Sequence, residues 1–484
     1  MNAQVRRLFM LIVVMFAALA VAATSTQFFA ASDLYNDPRN ARRILHAAEL
    51  DRGPIIVDGS AIASSVKDPN DARYQRVYSD GPLYAPVTGY FSSVFNLSTG
   101  LENAAETTLE GDAQVLLGQR LKNLVTGRSR QGGGIELTLD PAMQQVAADQ
   151  LGGRRGAVVA VNAKTGAVLA LYSSPSYDPN PLAQFDSATA NDAFNALDQD
   201  PSRPLANRAI AGDRYAPGST FKILTTIALL ENGVATPDTP MDSPVEATLP
   251  GTSTAISNIE STECGSGTPT LAEAFARSCN TTFVLASEKL THDQLADVAD
   301  RFGFGKDLSI PLDVTPSVFP EETDAAQLAM SAIGQYDVQV TPLEMAMIAQ
   351  TVADGGTMMT PYLVDRVVDA DLQTVSTTEP SVRATPIGSD VAAQLTQMME
   401  GVVDQSYGTG TSMAIPGVQV AAKTGTAEVG DAGYANAWAV GFAPANDPQI
   451  AFAVIVEGDD NQPVPHGGDV AGPIARALLE AGLR

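Results

Sequence analysis

Residues Leu8 to Ala23 form an unbroken apolar run directly after Arg6 and Arg7, and the weakly polar Thr24-Ser25-Thr26 leads on to Phe28-Phe29. About 20 residues of this kind suffice to cross a bilayer, so the chain is expected to fold as a membrane-anchored protein with one span. Basic residues before the span predict a short cytoplasmic tail, residues 1–30 forming tail and anchor, with everything after them outside the cell membrane. Arg39, Arg42 and Arg43 dilute that asymmetry. A cleaved signal peptide is the rival reading, because Ala20-Val21-Ala22 fits a small-x-small site, but the run exceeds the ~7–15 residues of a usual signal core. No later stretch is long and apolar enough to cross again.

The 484 residues exceed one ordinary core and predict two or three domains. Hydrophobic residues at 45% and charged residues at 17% describe a globular chain. The formal charge of −26 argues against nucleic acid, which is held by cations that neutralise phosphates. The two cysteines, Cys264 and Cys279, would close a loop of about 16 residues, worth roughly 3 kcal/mol in an oxidising compartment. Two separate buried thiols are the alternative. His46, His292 and His466 are far apart and lack partners at metal-ligand spacing, so neither a metal nor a cofactor is expected.

Past the anchor, the residues around 36–50 read as a short helix, Pro54 to Ile62 as one alternating strand, and Tyr84 to Ser92 as turns. Helical patterns follow near Leu101–Leu109 and Ala113–Leu124. Gly132-Gly133-Gly134 then reads as a flexible joint, Ile135–Leu139 as a strand, and Asp140-Pro141 as a helix start with an N-cap and a Pro in the first turn. This predicts an N-terminal domain over 31–134 and a second domain over 135–484.

The tripeptide Lys-Thr-Gly occurs twice. At Lys164-Thr165-Gly166 it sits between the β-rich runs Gly156–Val161 and Ala167–Tyr172, where a hairpin loop accounts for it fully. At Lys423-Thr424-Gly425 it continues a strand, Val418–Ala422, and two further strands follow, as in an antiparallel meander closed by a C-terminal helix over Val470–Leu483. A Gly inside a strand marks close approach by a ligand or another backbone. For a nucleophile, Pro217-Gly218 breaks the chain, Ser219 starts an apolar helix, and Lys222 follows one turn later on the same face. A buried Lys near a second cation such as Lys423 can act as the base that Ser needs. The similar Ser64 to Lys67 pair heads no helix and reads as a solvated loop. Ser278-Cys279-Asn280 lies between two helical patterns, Leu271–Arg277 and Thr281–Glu288, where a plain helix cap competes with a catalytic role.

Ser-x-x-Lys, Ser-x-Asn and Lys-Thr-Gly, in this order, are the signature set of penicillin-binding proteins and serine β-lactamases. With these motifs and the stretches "RGPIIVDGSAIA", "GLENAAETTLEG", "LTLDPAMQQVA", "SAIGQYDVQVTPLEMAMIAQTVADGG" and "AWAVGFAPA", nearly the whole chain resembles the class B penicillin-binding proteins, in particular the actinobacterial penicillin-binding protein A group. It departs in Cys279, at the centre of Ser-x-Asn, and in Asn436-Ala437-Trp438, where His-Ala-Trp is more usual. The resemblance implies an α+β transpeptidase fold with an antiparallel sheet flanked by helices, preceded by an extended pedestal or dimerisation-type domain and one transmembrane helix. It implies acylation of Ser219 by the D-Ala-D-Ala end of peptidoglycan stem peptides, with Lys222 as base and Ser278 as proton relay. Asn280 would hold Lys222 and the substrate amide. Lys423, Thr424 and Thr426 would receive the terminal carboxylate beside Gly425, and the backbone N–H groups of Ser219 and Thr426 would form the oxyanion hole. β-Lactams would trap Ser219, and a RodA/FtsW-type glycosyltransferase would be the membrane partner. A Cys264–Cys279 bridge would pin the Ser278 loop. A secreted β-lactamase would not need some 130 residues before the catalytic sheet. A D,D-carboxypeptidase and a non-catalytic β-lactam sensor or scaffold remain as alternatives.

Overall fold

The segment Ile450–Glu457 (IAFAVIVE) is buried at seven successive positions, so both of its faces have to be covered. In the computed structural model of the chain, which describes residues 3–26, 48–69, 71–120, 131–212, 214–258, 262–430 and 433–484, it is the central strand of a five-stranded antiparallel sheet. In chain order, the strands of the two larger sheets are β1 (Ile55–Val57), β2 (Ser60–Lys67), β3 (Tyr74–Tyr78), β4 (Gly134–Leu137), β5 (Gly156–Asn162), β6 (Val168–Ser174), β7 (Val364–Val368), β8 (Thr374–Thr377), β9 (Ala421–Val429), β10 (Tyr434–Ala443) and β11 (Ile450–Glu457). The helices used below are α1 (Ala3–Thr24), α2 (Pro141–Leu151), α3 (Lys222–Glu231), α4 (Leu271–Ala276), α5 (Asn280–Ser287), α6 (Pro342–Ala353) and α7 (Gly472–Gly482).

The five-stranded sheet runs β9-β10-β11-β5-β6, so its strands come from both ends of residues 135–484, with the helices α3 to α6 inserted between them. Alternate residues of β11 feed two cores. Phe452 and Val454 meet Met143 and Leu151 of α2 and Ile474 and Leu478 of α7 on one face. Ala451, Ala453 and Ile455 meet α6 on the other, where all twelve helix residues are buried. Small residues on β11 allow that helix to approach closely, and each fully buried aliphatic side chain contributes ~1.5–3 kcal/mol. Strand β9 pairs with β10 alone, which leaves its other edge open.

The second sheet runs β8-β7-β4-β1-β2-β3, joining strands from residues 55–78, 134–137 and 364–377. The Pro54–Ile62 stretch is a hairpin rather than one strand: β1 and β2 turn at Asp58 (φ 47°) and Gly59 (φ 71°), the Asp-Gly pair that two-residue hairpin turns favour. The Tyr84–Ser92 stretch, expected as turns, overlaps a helix over Gly81–Thr88 with Pro in its first turn. The Ser64 to Lys67 pair lies in β2, on a strand rather than in a loop. Only part of the expected Ala113–Leu124 helix is described: a 3-10 turn over Gln114–Leu116 and helix to Arg120. The short helix expected around 36–50 falls mainly outside the described residues, as does His46.

Gly132, Gly133 and Gly134 are not a flexible joint. All three are buried, and a Cβ on Gly132 would lie 1.8 Å from the Leu109 carbonyl oxygen, one on Gly133 2.6 Å from Leu116 Cδ1. They are glycines because the backbone passes where no side chain fits. Beside them, fully buried Glu102 binds Arg76 Nε at 2.6 Å, Arg52 Nε at 3.2 Å and the Tyr78 hydroxyl at 3.2 Å. Arg52 also reaches Glu110 at 2.8 Å. Removing one member of such a buried pair costs about 3–5 kcal/mol, since its partner is left charged and dry.

Helix α1 is exposed along its whole length. Its Gln4–Thr24 portion, with mean hydropathy 2.3, is long and apolar enough to cross a membrane.

Candidate active site

Ser219 occupies a 3-10 turn, Gly218–Phe221, that runs directly into α3. The turn is fixed from two sides. Gly218 (φ 54°) donates its N–H to the Gly334 carbonyl at 2.9 Å, and a Cβ on Gly334 (φ 74°) would lie 2.1 Å from the Gly218 oxygen. Gly425 of β9 faces the same turn; a Cβ there would meet Thr220 Cγ2 at 3.0 Å and the Pro217 oxygen at 3.1 Å. The strand glycine is thus explained by close approach of backbone. Behind it, Trp438 Nε1 donates to the Ala216 carbonyl at 3.1 Å, and Phe221 stacks on Phe319 at 5.9 Å.

Ser278 follows α4 with a left-handed backbone (φ 59°) and is 2% exposed. Such a conformation is uncommon outside glycine and turns the loop so that its hydroxyl faces inward. Asn280 opens α5, and the first N–H groups of that helix, from Asn280 and Thr281, both donate to Asn258 Oδ1 at 3.0 and 3.2 Å. The cap is therefore supplied from 22 residues upstream. Asn280 Nδ2 donates to the Ser257 carbonyl at 3.1 Å, which turns its Oδ1 toward Lys222 Nζ, 2.8 Å away.

Lys222 Nζ also donates to the Ser278 carbonyl at 2.8 Å and approaches Ser278 Oγ at 3.4 Å. Lys423 Nζ donates to Ser278 Oγ at 2.8 Å and to the Thr424 carbonyl at 2.9 Å. Both lysines are fully buried. Burial, and then the charge of Lys423, hold Lys222 well below the usual lysine range; burial brings Lys423 down to about 7. A neutral Lys222 amine has two N–H donors and one lone pair. The Ser278 carbonyl and Asn280 Oδ1 take the donors, leaving the lone pair for a hydroxyl proton. Ser278 Oγ, accepting from Lys423, keeps its own proton to give.

Ser219, Ser278, Asn280, Thr424, Gly425 and Thr426 line one cleft of about 1070 Å³, walled by Ile256, Tyr407, Tyr434 and His466. The open edge of β9 runs along it. Thr409 Oγ1 shares a 2.5 Å hydrogen bond with Thr424 Oγ1. The sequence-predicted residues thus converge, with Lys222 and Lys423 just beneath the cleft floor. The first Lys-Thr-Gly copy joins β5 and β6 as a hairpin loop, where Lys164 pairs with Asp354 at 3.2 Å.

Cys264 and Cys279 are joined as a disulfide, with Cα atoms 6.0 Å apart. The bond ties the centre of the Ser278 loop to the segment before α4. Reduction is expected to slow acylation of Ser219 and lower the midpoint of thermal unfolding. The chain-entropy value is about 3 kcal/mol for a loop of this length. Penicillin labelling rates with and without reductant, and in Cys264→Ser, test this; unchanged rates would discard the idea.

Asn258 and Thr409 carry no motif, and Gly334, within the quoted SAIGQYDVQV stretch, has no role assigned to it by the sequence. The only signal at Asn258 and Thr409 is a polar residue in a turn-rich stretch, and their partners are distant in sequence.

A family described as the penicillin binding protein transpeptidase domain matches residues 156–480, and one described as the penicillin binding protein A dimerisation domain matches 52–135. The chain belongs to the penicillin-binding protein transpeptidase family. Among relatives of this family, it is 43% identical to the peptidoglycan D,D-transpeptidase PbpA of Mycolicibacterium smegmatis, over 100% of this chain and 99% of that protein. It is 41% identical to PbpA of Mycobacterium tuberculosis over the same shares. The ceftriaxone acyl-enzyme complex of penicillin-binding protein A from M. tuberculosis superposes with a TM-score of 0.86 at 40% identity, covering 91% of this chain and 100% of that one. Its penicillin G acyl-enzyme complex gives 0.84 at 41%, covering 90% and 100%. The penicillin-binding protein fold, with its dimerisation-type region ahead of the catalytic sheet, thus accounts for nearly all of the described chain.

Proposed function

We propose that the chain is a peptidoglycan D,D-transpeptidase in which Ser219 forms the acyl-enzyme, acting in cell wall synthesis during growth and division. The observation that carries this reading is the pair of buried amines meeting at Ser278 Oγ, one of them with a lone pair left over, beside a serine at the floor of an open cleft. Ser219 Oγ attacks the carbonyl of the penultimate D-alanine while Lys222 takes its proton. The N–H groups of Ser219 and Thr426 receive the oxyanion. Ser278 passes a proton to the departing D-alanine amine and is replenished from the lysines. Thr424, Thr426 and Lys423 hold the terminal carboxylate. The amine of a second stem then attacks the ester, its proton returns to the base, and Ser219 is released. A β-lactam acylates Ser219 by ring opening, so its leaving amine stays tethered.

Residues 1–30 act as tail and anchor, 31–134 as pedestal and 135–484 as catalytic unit outside the membrane, with a RodA/FtsW-type glycosyltransferase as partner. The test is a fluorescent penicillin incubated with the ectodomain and followed on a denaturing gel. Label that persists for hours fits a transpeptidase; label that decays within seconds as the drug is hydrolysed would mean a lactamase, and none in a folded sample would mean a scaffold.

The pH dependence has a defined sign. Neutral Lys222, the base, exists above its lowered pKa and is lost as pH falls through it. Charged Lys423 exists below about 7 and is lost as pH rises through that value. The second-order rate of acylation by an anionic β-lactam is therefore expected to be bell-shaped, with its alkaline limb near 7. Stopped-flow acylation across pH 5–9 checks this, and a rate that climbs without limit above 7 would refute the role given to the Lys423 charge.

A further inference from the structure

Strand β11 is apolar up to its last residue, Glu457, whose side chain is 8% exposed. A carboxylate kept out of water is tolerated when it is paired and hydrogen-bonded, and three side chains meet this one. Oε1 accepts from Arg208 Nε at 3.0 Å and from the Tyr215 hydroxyl at 2.9 Å, and Oε2 pairs with Arg155 Nη2. Arg208 is fully buried, and its other two nitrogens donate to the Ser202 carbonyl at 2.7 Å and the Arg203 carbonyl at 3.2 Å. The Arg155 side chain is half-exposed. None of these four side chains lines the catalytic cleft.

Tyr215 stands four residues before Ser219. Its N–H donates to the Val340 carbonyl at 2.9 Å and its carbonyl accepts from Val340 N–H at 2.8 Å. Its ring meets Trp438 edge to face at 6.2 Å, and the same indole donates to the carbonyl of Ala216. A phenylalanine ring would make the Trp438 contact equally well. What the hydroxyl adds is a charge-assisted bond to Glu457, which ties the segment entering the nucleophile turn to the end of the central strand β11. Acyl transfer requires Ser219 Oγ and N–H to stand within about 0.5 Å of their productive places, and a displacement of about 1 Å costs on the order of 10²-fold.

Resting on the transpeptidase reading, we propose that Glu457 is a positioning residue for Ser219: held by Arg208, it fixes the Tyr215 hydroxyl and, through it, the 215–218 segment that sets the nucleophile turn. Arg155 meets the other carboxylate oxygen, so it strengthens the ion pair without reaching that segment.

Stopped-flow acylation by a chromogenic cephalosporin tests this, because it separates the Kd of the first complex from the rate constant of acylation. Tyr215→Phe keeps the ring and the Arg208–Glu457 pair, so the fold is expected to hold while the rate constant falls about tenfold and Kd stays within about twofold. Glu457→Gln leaves one acceptor oxygen for three donors and should lower the same constant; added to Tyr215→Phe it should cost less than about twofold more, since the two act as one unit. Arg155→Gln strips a charge partner from the same carboxylate and should stay within about twofold of the wild-type rate constant. A folded Tyr215→Phe at the wild-type rate constant, an equal fall in Arg155→Gln, or effects of Tyr215→Phe and Glu457→Gln that multiply would overturn the positioning role. Should Glu457→Gln fail to fold, Tyr215→Phe against Arg155→Gln decides alone. Failure of the wild type to form an acyl-enzyme would instead overturn the transpeptidase reading itself.

Discussion

Ser219→Ala is expected to abolish covalent labelling by penicillin and to reduce transpeptidation by about 10⁶-fold, the scale of loss when a serine nucleophile is removed. No neighbouring group can take over. Ser278 Oγ is 2% exposed and engaged by Lys423, and its geometry serves proton transfer rather than attack. The fold should be untouched, since the turn is held by backbone contacts of Gly218 and Gly334 and by Thr220 Oγ1 on the Pro217 carbonyl at 2.7 Å, none of which uses the Ser219 hydroxyl. Intact-mass measurement after incubation with penicillin reads the result. An adduct on the variant at wild-type rate would assign the nucleophile elsewhere.

Lys222→Ala is expected to slow acylation by about 10²–10⁴-fold, the range for loss of a general base. The discriminating variant is Lys222→Arg. It keeps the donors toward the Ser278 carbonyl and Asn280 Oδ1, but a guanidinium stays protonated and has no lone pair to accept a proton. If Lys222 is the base, arginine fails as badly as alanine. If it were only a structural tie, arginine would restore much of the rate. Lys423→Arg separates the two amines, because the role given to Lys423 at the substrate carboxylate is served by charge, so arginine there should exceed Lys423→Ala. Stopped-flow acylation rates of these four variants distinguish the assignments. Equal rescue by arginine at both positions would leave Lys222 without its role as base.

Much of this was legible in the sequence because the chemistry requires short-range spacings. A serine and a lysine three residues apart lie on one helical face wherever the helix forms, and a glycine inside an apolar strand has few explanations. The two Lys-Thr-Gly copies were separable by their neighbours alone, one spanning the reversal between β5 and β6 and the other running along β9. The second-sheet region was less legible. Three successive glycines read as a joint, whereas Gly132 and Gly133 have no side chain because Leu109 and Leu116 occupy the space it would need. The Asp58-Gly59 pair is a hairpin signal, but the apolar alternation that continues across it reads as a single strand.

The sequence by itself determined the order of the motifs, the apolar segment fit to cross a membrane, and the helix or strand that carries each reactive side chain, since these follow from local periodicity and turn chemistry. Only the tertiary structure decided that Lys222 and Lys423 meet at one serine hydroxyl, that both are dry enough for their pKa values to fall, and that Asn258 caps α5 from 22 residues upstream. Desolvation and hydrogen-bond geometry depend on which distant segments exclude water from a point. That is a property of the packed molecule, and no window of sequence contains it.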